Sequence, residues 1–173
     1  MNAREQILAA VRAARVAAVP RRPARASVSP KEGRDARAWR FSEQLTAVGG
    51  RTVPWPPEVP IEALLDSLFG SAWEGVLVLP GRFAVAENGA VYVDANDTPH
   101  RADVVSCEHL VLIVSSSTIV DTMHDAMPLI PRASACGWFL SGPSKTADIE
   151  QSLVIGAQGA RTLTVLLRAP STD

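Results

Sequence analysis

GVLVLPGRFAVAENGAVYVD, residues 75–94, decides the class of fold. Its first part, Gly75 to Pro80, is a continuous apolar run of the kind demanded of a strand covered on both faces. The second part, AVAENGAVYVD, reads as two short strands around Asn88-Gly89, the dipeptide best suited to a tight type I′ turn. Strand structure is therefore expected at the centre of the chain, with one antiparallel hairpin.

Downstream, HLVLIV (109–114) is another buried strand. It runs into SSSTIVDTMHDAM, where a serine or threonine caps a helix that turns Ile119, Val120, Met123 and Met127 inward. GWFLSG followed by PSKTADIEQSLV repeats the strand-to-helix order, and TLTVLL supplies a last strand. Upstream, Ile61, Leu64, Leu65 and Leu68 are spaced for burial on a helix over Ile61 to Phe69, preceded by an irregular link with prolines at 54, 56, 57 and 60 and a short strand at Thr52 to Trp55. Trp39, Phe41, Leu45 and Val48 share one face of a helix over Arg37 to Val48, which Gly49-Gly50 ends. Strands alternating with helices predict an α/β fold with a mixed, largely parallel sheet and flanking helices.

The chain has 173 residues, 47% hydrophobic and 20% charged, enough for one well-buried core with a terminal appendage. The expected organisation is a basic N-terminal helix over 1–19, a Pro/Arg-rich linker over 20–36 and an α/β domain over 37–170. In the helix Ile7, Leu8, Val11 and Val16 are apolar, and Arg4, Arg12 and Arg15 are solvated. Residues 1–40 carry ten basic and three acidic side chains, so the head is basic and the remainder acidic. No aromatic stacking platform or nucleic-acid module accompanies that charge, which argues against nucleic acid as the partner. No apolar run approaches the roughly 20 residues of a transmembrane helix, and the N-terminus lacks the apolar core and cleavage site of a secretory signal, so a cytoplasmic location is expected. Two cysteines, Cys107 and Cys136, supply neither a disulfide framework nor a four-thiolate cluster site.

Open α/β sheets bind ligands beyond the carboxyl ends of their strands, which directs attention to Ser141-Gly142-Pro143 as a strand-to-helix turn. There Ser144 is the expected N-cap, and Lys145 and Thr146 add a charge and a hydroxyl to outward-pointing amides, a site for a carboxylate or phosphate. The alternative is structural: Asp148 and Glu150 complement the helix dipole and Lys145 pairs an acid three residues on. A P-loop is excluded by spacing, because Pro143 and Ser144 stand between Gly142 and Lys145. Cys107 and His109, two apart, would share a strand face, but no third orienting group accompanies them. His100 and His124 lack metal-ligand spacing to one another, and no metal site is expected. Glu87, before the hairpin turn, is the candidate acid, base or hydrogen-bond acceptor, against the plain reading of an exposed turn residue.

FLSGPSKTADIEQSLVIGAQGARTLTVLL (139–167) resembles the signature of the LUD family, in its LutC/YkgG branch of lactate-utilisation proteins, and AVAENGAVYV occupies the place of that family's glutamate-containing strand and turn. The resemblance implies a fold similar to the NagB/RpiA/CoA transferase-like proteins. It also implies an accessory subunit in the oxidation of L-lactate to pyruvate, with iron–sulfur clusters in partner subunits and no cofactor in this chain. Carried over by position as pocket residues are Glu87, the candidate catalytic carboxylate, and the ligand-binding Ser141, Gly142, Ser144, Lys145, Thr146, Asp148 and Gln151, with no mechanism supplied by the resemblance itself. The chain departs from the family's pattern at Gln158 and Ala160, where a histidine and a proline are usual, and in VVSCE before His109. Lactate oxidation needs an electron acceptor that no side chain supplies, and the chain has no Rossmann glycine fingerprint. The leading expectation is thus a non-redox subunit that binds an organic acid or cofactor anion at the Ser141–Thr146 turn and docks iron–sulfur partners. The alternatives are a stand-alone transferase or isomerase using Glu87, and a regulatory protein acting through its basic arm.

Overall fold

The structure, a computed structural model, describes residues 2–13, 33–98, 100–147 and 153–169. In chain order the first elements are α1 (Ala3–Ala13), α2 (Arg34–Ala47), β1 (Arg51–Trp55), α3 (Ile61–Phe69) and β2 (Val76–Pro80). The hairpin β3 (Phe83–Val85) and β4 (Ala90–Asp94) follows, then the single turn α4 (Asp103–Ser106) and β5 (His109–Ser115). The chain continues through β6 (Ile119–Val120), the short α5 (Met123–Ala126), β7 (Gly137–Leu140), β8 (Lys145–Ala147), β9 (Leu153–Ile155) and β10 (Thr162–Arg168).

Two sheets carry the fold. The first, in order β1-β10-β5-β2, is wholly parallel, with Thr164 beside both Arg51 and Val111. The second, β6-β3-β4-β7, is mixed: β3 pairs antiparallel with β4 and parallel with β6. Side-chain alternation along the strands divides the apolar residues into layers. Leu110, Leu112, Val114, Leu163 and Val165 from the parallel sheet meet Ala84, Val91, Val93 and Ile119 from the mixed one, with Phe41 and Leu45 of α2 completing this central cluster. On the outer face of the parallel sheet Val111 and Leu166 pack against Leu65 of α3. On the outer face of the mixed sheet Phe83, Val85 and Tyr92 pack against Ala126 of α5. Each large side chain so buried contributes about 1.5–3 kcal/mol.

The α/β class, with its mostly parallel pairing and flanking helices, is as the sequence predicts. The bounds of α3 coincide with the expected ones, and a hairpin is present, but β3 and β4 meet at Val85↔Ala90, so residues 86–89 form a four-residue loop rather than the expected type I′ turn, which would need Asn88 at positive φ. Gly89 has φ +67°, and a Cβ there would stand 2.5 Å from the Leu45 amide nitrogen. Only glycine lets the hairpin turn press onto α2. The C-terminus of α2 also follows from its glycines: Gly50 N–H donates to the Leu45 carbonyl and Gly49 N–H to that of Thr46, both at 2.9 Å, with Gly49 at φ +88°. This is a Schellman closure.

Three further segments differ from expectation. The second helix starts at Arg34 rather than Arg37, with Asp35 in its first turn, where the helix dipole favours an acid. Ile119 and Val120 form a strand rather than a helix face, since β-branched residues favour extended backbone, and the Val120 carbonyl accepts the Ala86 N–H at 2.9 Å. The helix begins only beyond them, and its cap is Thr122, which makes a reciprocal capping box with Asp125 on α5, rather than a residue ahead of Ile119.

The third difference bears on function. No helix begins at Ser144; Lys145–Ala147 is a strand, paired antiparallel with β9 through Lys145↔Ile155 and Thr146↔Val154. Ser144 N–H donates to the Ala160 carbonyl and Gly156 N–H to that of Ser144, each at 2.9 Å. A helix would leave these partners unmet, whereas Thr146, Val154 and Ile155 suit a ribbon. The expected helix continues over residues 148–152, outside the described residues, as do positions 14–32 of the basic helix and linker.

Candidate functional site

Ser141 leaves β7 with its hydroxyl donating to the Asn88 carbonyl at 2.8 Å, which ties the turn to the hairpin. Gly142, at φ +78°, allows a close approach to α2: a Cβ there would lie 2.6 Å from the Val48 carbonyl oxygen. Lys145 Nζ donates to that same oxygen at 2.6 Å. The lysine thus sits on the negative end of α2 and satisfies a carbonyl that the helix leaves open. Ser141, Gly142, Ser144 and Lys145 are brought together, but around the end of one helix rather than the start of another. Thr146 continues along β8, and Asp148 and Gln151 lie outside the described residues.

Glu87 is exposed and accepts the Met123 N–H on Oε2 at 2.9 Å, so its carboxylate faces the first amide of α5. Behind it Arg40 reaches Asp121 Oδ1 at 3.1 Å, which joins α2 to the same corner. Cys107 is the C-terminal cap of α4 rather than a strand residue, and its thiol meets the Val104 carbonyl. Burial pushes that thiol up from its ordinary range. His109 instead shares a hydrogen bond of 2.8 Å between Nδ1 and Thr162 Oγ1, so cysteine and histidine hold different partners. Among the described residues no group of three or more His, Cys, Asp or Glu side chains is placed to hold a metal, and no helix is long and apolar enough to cross a membrane.

A cavity of about 470 Å³ opens at the amino ends of the parallel strands, lined among others by Gly49, Arg51, Phe69, Glu74, His109 and Thr162. The expected crevice was at the opposite, carboxyl ends. The Ser144–Ala160 bond just ahead of β10 and the Lys145–Val48 bond just ahead of β1 bring the polar turn to the amino end. Arg51 Nε donates to Thr164 Oγ1 at 2.8 Å, and its guanidinium lies 5.7 Å from the Phe69 ring centroid. The Phe69 and His109 rings are 5.3 Å apart. Of these residues the sequence pointed only to His109. The available signal was a polar residue at the first position of a strand of the parallel sheet, which Arg51, His109 and Thr162 share.

Residues 78–167 match the LUD domain, just over half of the chain, and the chain belongs to that family. Within it the chain is similar to Lactate utilization protein C 1 of Bacillus mycoides, 38% identical over 82 residues that make up 43% of this chain and 35% of that protein. It is similar also to Lactate utilization protein C of Anoxybacillus flavithermus, 32% identical over 101 residues, 57% of this chain and 43% of the relative. The chain spans about two fifths of the length of the curated relatives it matches. A crystal structure of a DUF162 family protein from Deinococcus radiodurans superposes with a TM-score of 0.55 at 15% identity, over 79% of this chain and 99% of that one, a likeness of fold.

Proposed function

We propose that this chain is a non-redox accessory subunit in the oxidation of L-lactate to pyruvate. The observation that carries the reading is its likeness to proteins named Lactate utilization protein C. The chemistry divides accordingly. Converting the hydroxyl of lactate to a ketone releases two electrons and two protons, and the electrons pass to partners that bear iron–sulfur clusters. Two cysteines in 173 residues leave this chain to bind and dock rather than to carry electrons.

Within that role the organic acid or cofactor anion is held at Lys145, with Ser141, Gly142, Ser144 and Thr146 shaping the turn. The ammonium has three N–H donors, and the bond to the Val48 carbonyl takes one. Electrostatic contact with a carboxylate then comes from the lysine side chain rather than from helix amides. The β8–β9 ribbon, on which Val154 and Ile155 are 42% and 50% exposed, offers apolar surface for the partner.

The test is reconstitution. The cluster-bearing subunits are purified with and without this chain, and lactate-dependent reduction of a dye is measured. Turnover that needs the chain, together with its co-elution with the other subunits, supports the reading. Equal turnover in its absence with no co-elution refutes it.

A further inference from the structure

The geometry points to the cavity at the amino ends of the parallel strands as a binding site for an organic oxyanion, a carboxylate or phosphate monoester, that carries an apolar body. This inference stands on Arg51 and its neighbours; it shares Lys145 with the proposed function but does not rest on lactate as the ligand.

Arg51 is held on two sides. Its Nε is anchored to Thr164 Oγ1, and Thr164 is itself fully buried in the sheet. The guanidinium also lies over Phe69. Among the described residues nothing takes a hydrogen bond from its two terminal nitrogens, although Arg51 lines the cavity. A planar fork, pre-oriented and with no acceptor on its terminal nitrogens among the described residues, is suited to an oxyanion taken two oxygens at a time. Preorganisation matters because little rotamer entropy remains to be lost on binding.

The remaining walls state what the rest of the ligand is. Leu68, Val76 and Leu163 are apolar, and the Phe69–His109 pair presents ring surface. His109 is fixed through Nδ1 to Thr162, which leaves Nε2 as a second polar contact. The volume of about 470 Å³ falls in the range of small-molecule sites, roughly 300–1,000 Å³, and exceeds the needs of a bare inorganic ion. Charge adds to the sign. Lys145 Nζ lies 3.3 Å from where a Cβ on Gly49 would stand, so a second cation borders the cavity, against the one carboxylate of Glu74.

Benzoate and phenyl phosphate serve as probes of the two head groups, with acetate, inorganic phosphate and benzyl alcohol as partial ligands. Each is titrated into the full chain, followed by amide chemical-shift perturbation and thermal shift. Benzoate or phenyl phosphate is expected to perturb Arg51, Phe69, His109 and Thr162, the tighter of the two identifying the head group, and the partial ligands to bind more weakly. Arg51→Gln is expected to weaken the preferred probe about tenfold or more, the scale of one lost charge-assisted pair. Glu74→Gln, which leaves the Arg51 anchor intact, is expected to tighten it severalfold by removing a like charge. Should Arg51→Gln fail to fold, Glu74→Gln decides. Absence of perturbation by both probes at millimolar concentration, binding unchanged in Arg51→Gln, or binding unchanged or weakened in Glu74→Gln each overturns the assignment.

Discussion

Lys145 Nζ donates a 2.6 Å hydrogen bond to the carbonyl oxygen of Val48, ninety-seven residues away in the chain. One contact therefore both closes the C-terminus of α2 and holds the ammonium beside Gly49, a residue of the cavity wall. Replacing Lys145 with Met should lower stability by about 0.5–1.5 kcal/mol, the net value of such a bond at an exposed site. Urea unfolding monitored by tryptophan fluorescence measures it, and an unchanged midpoint would show that the contact contributes nothing in solution.

Gly89 and Gly33 make a matched pair of tests. Gly89→Ala forces a side chain into the left-handed region and into the Leu45 backbone, so a loss of about 2–5 kcal/mol is expected from strain and overpacking together. Gly33→Ala meets nothing within 4 Å at an ordinary φ and, at the N-cap of α2 where alanine is less favoured than glycine, should cost no more than about 1 kcal/mol. Comparable losses in both would mean that the hairpin does not seat on α2.

Glu87 stabilises the start of α5 in this structure. Glu87→Gln retains an acceptor but removes the charge, so the expected loss is below about 1 kcal/mol, with faster amide exchange at Met123. Hydrogen exchange read residue by residue is the measurement; an unaltered Met123 rate removes the capping role.

Asp94, 1% exposed, is held below the usual carboxylate range, first by the Asn96 backbone N–H at 2.9 Å and then by the Ser134 hydroxyl and the Arg82 charge. A depressed folded-state value stabilises the protein above the unfolded pKa of about 3.9, and that stabilisation is lost as pH falls through the folded-state value. Urea midpoints taken from neutral pH into this acid window should therefore fall less steeply in Asp94→Asn than in the parent. Parallel slopes would exclude Asp94 as a source of the acid sensitivity.

Local signals in the sequence carried far where the deciding interactions are local. The α3 face at Ile61, Leu64, Leu65 and Leu68 depends on neighbours within a few residues and is where the pattern puts it, and the hairpin falls where Asn88-Gly89 marks it, though its loop is four residues long. The segment after Ser141 departs from its expected helix because its small and polar residues satisfy a helix-start pattern and a ribbon equally well. What settles it is the pairing of Ser144 with Ala160 and Gly156, and no local period encodes that pairing.

By itself the sequence determined the α/β class, the hairpin, the parallel strands and the resemblance to the LUD family, because hydrophobic period, turn chemistry and motif spacing are properties of contiguous residues. Only the tertiary structure decided that the polar turn sits at the amino ends of the strands, that Lys145 closes α2, and that Arg51, Phe69, His109 and Thr162 share one cavity. Strand order and register set those juxtapositions: β10 lies between β1 and β5, which places Thr162 beside His109 and Thr164 beside Arg51. That order follows from how all the apolar faces are buried together, which no single stretch of chain specifies.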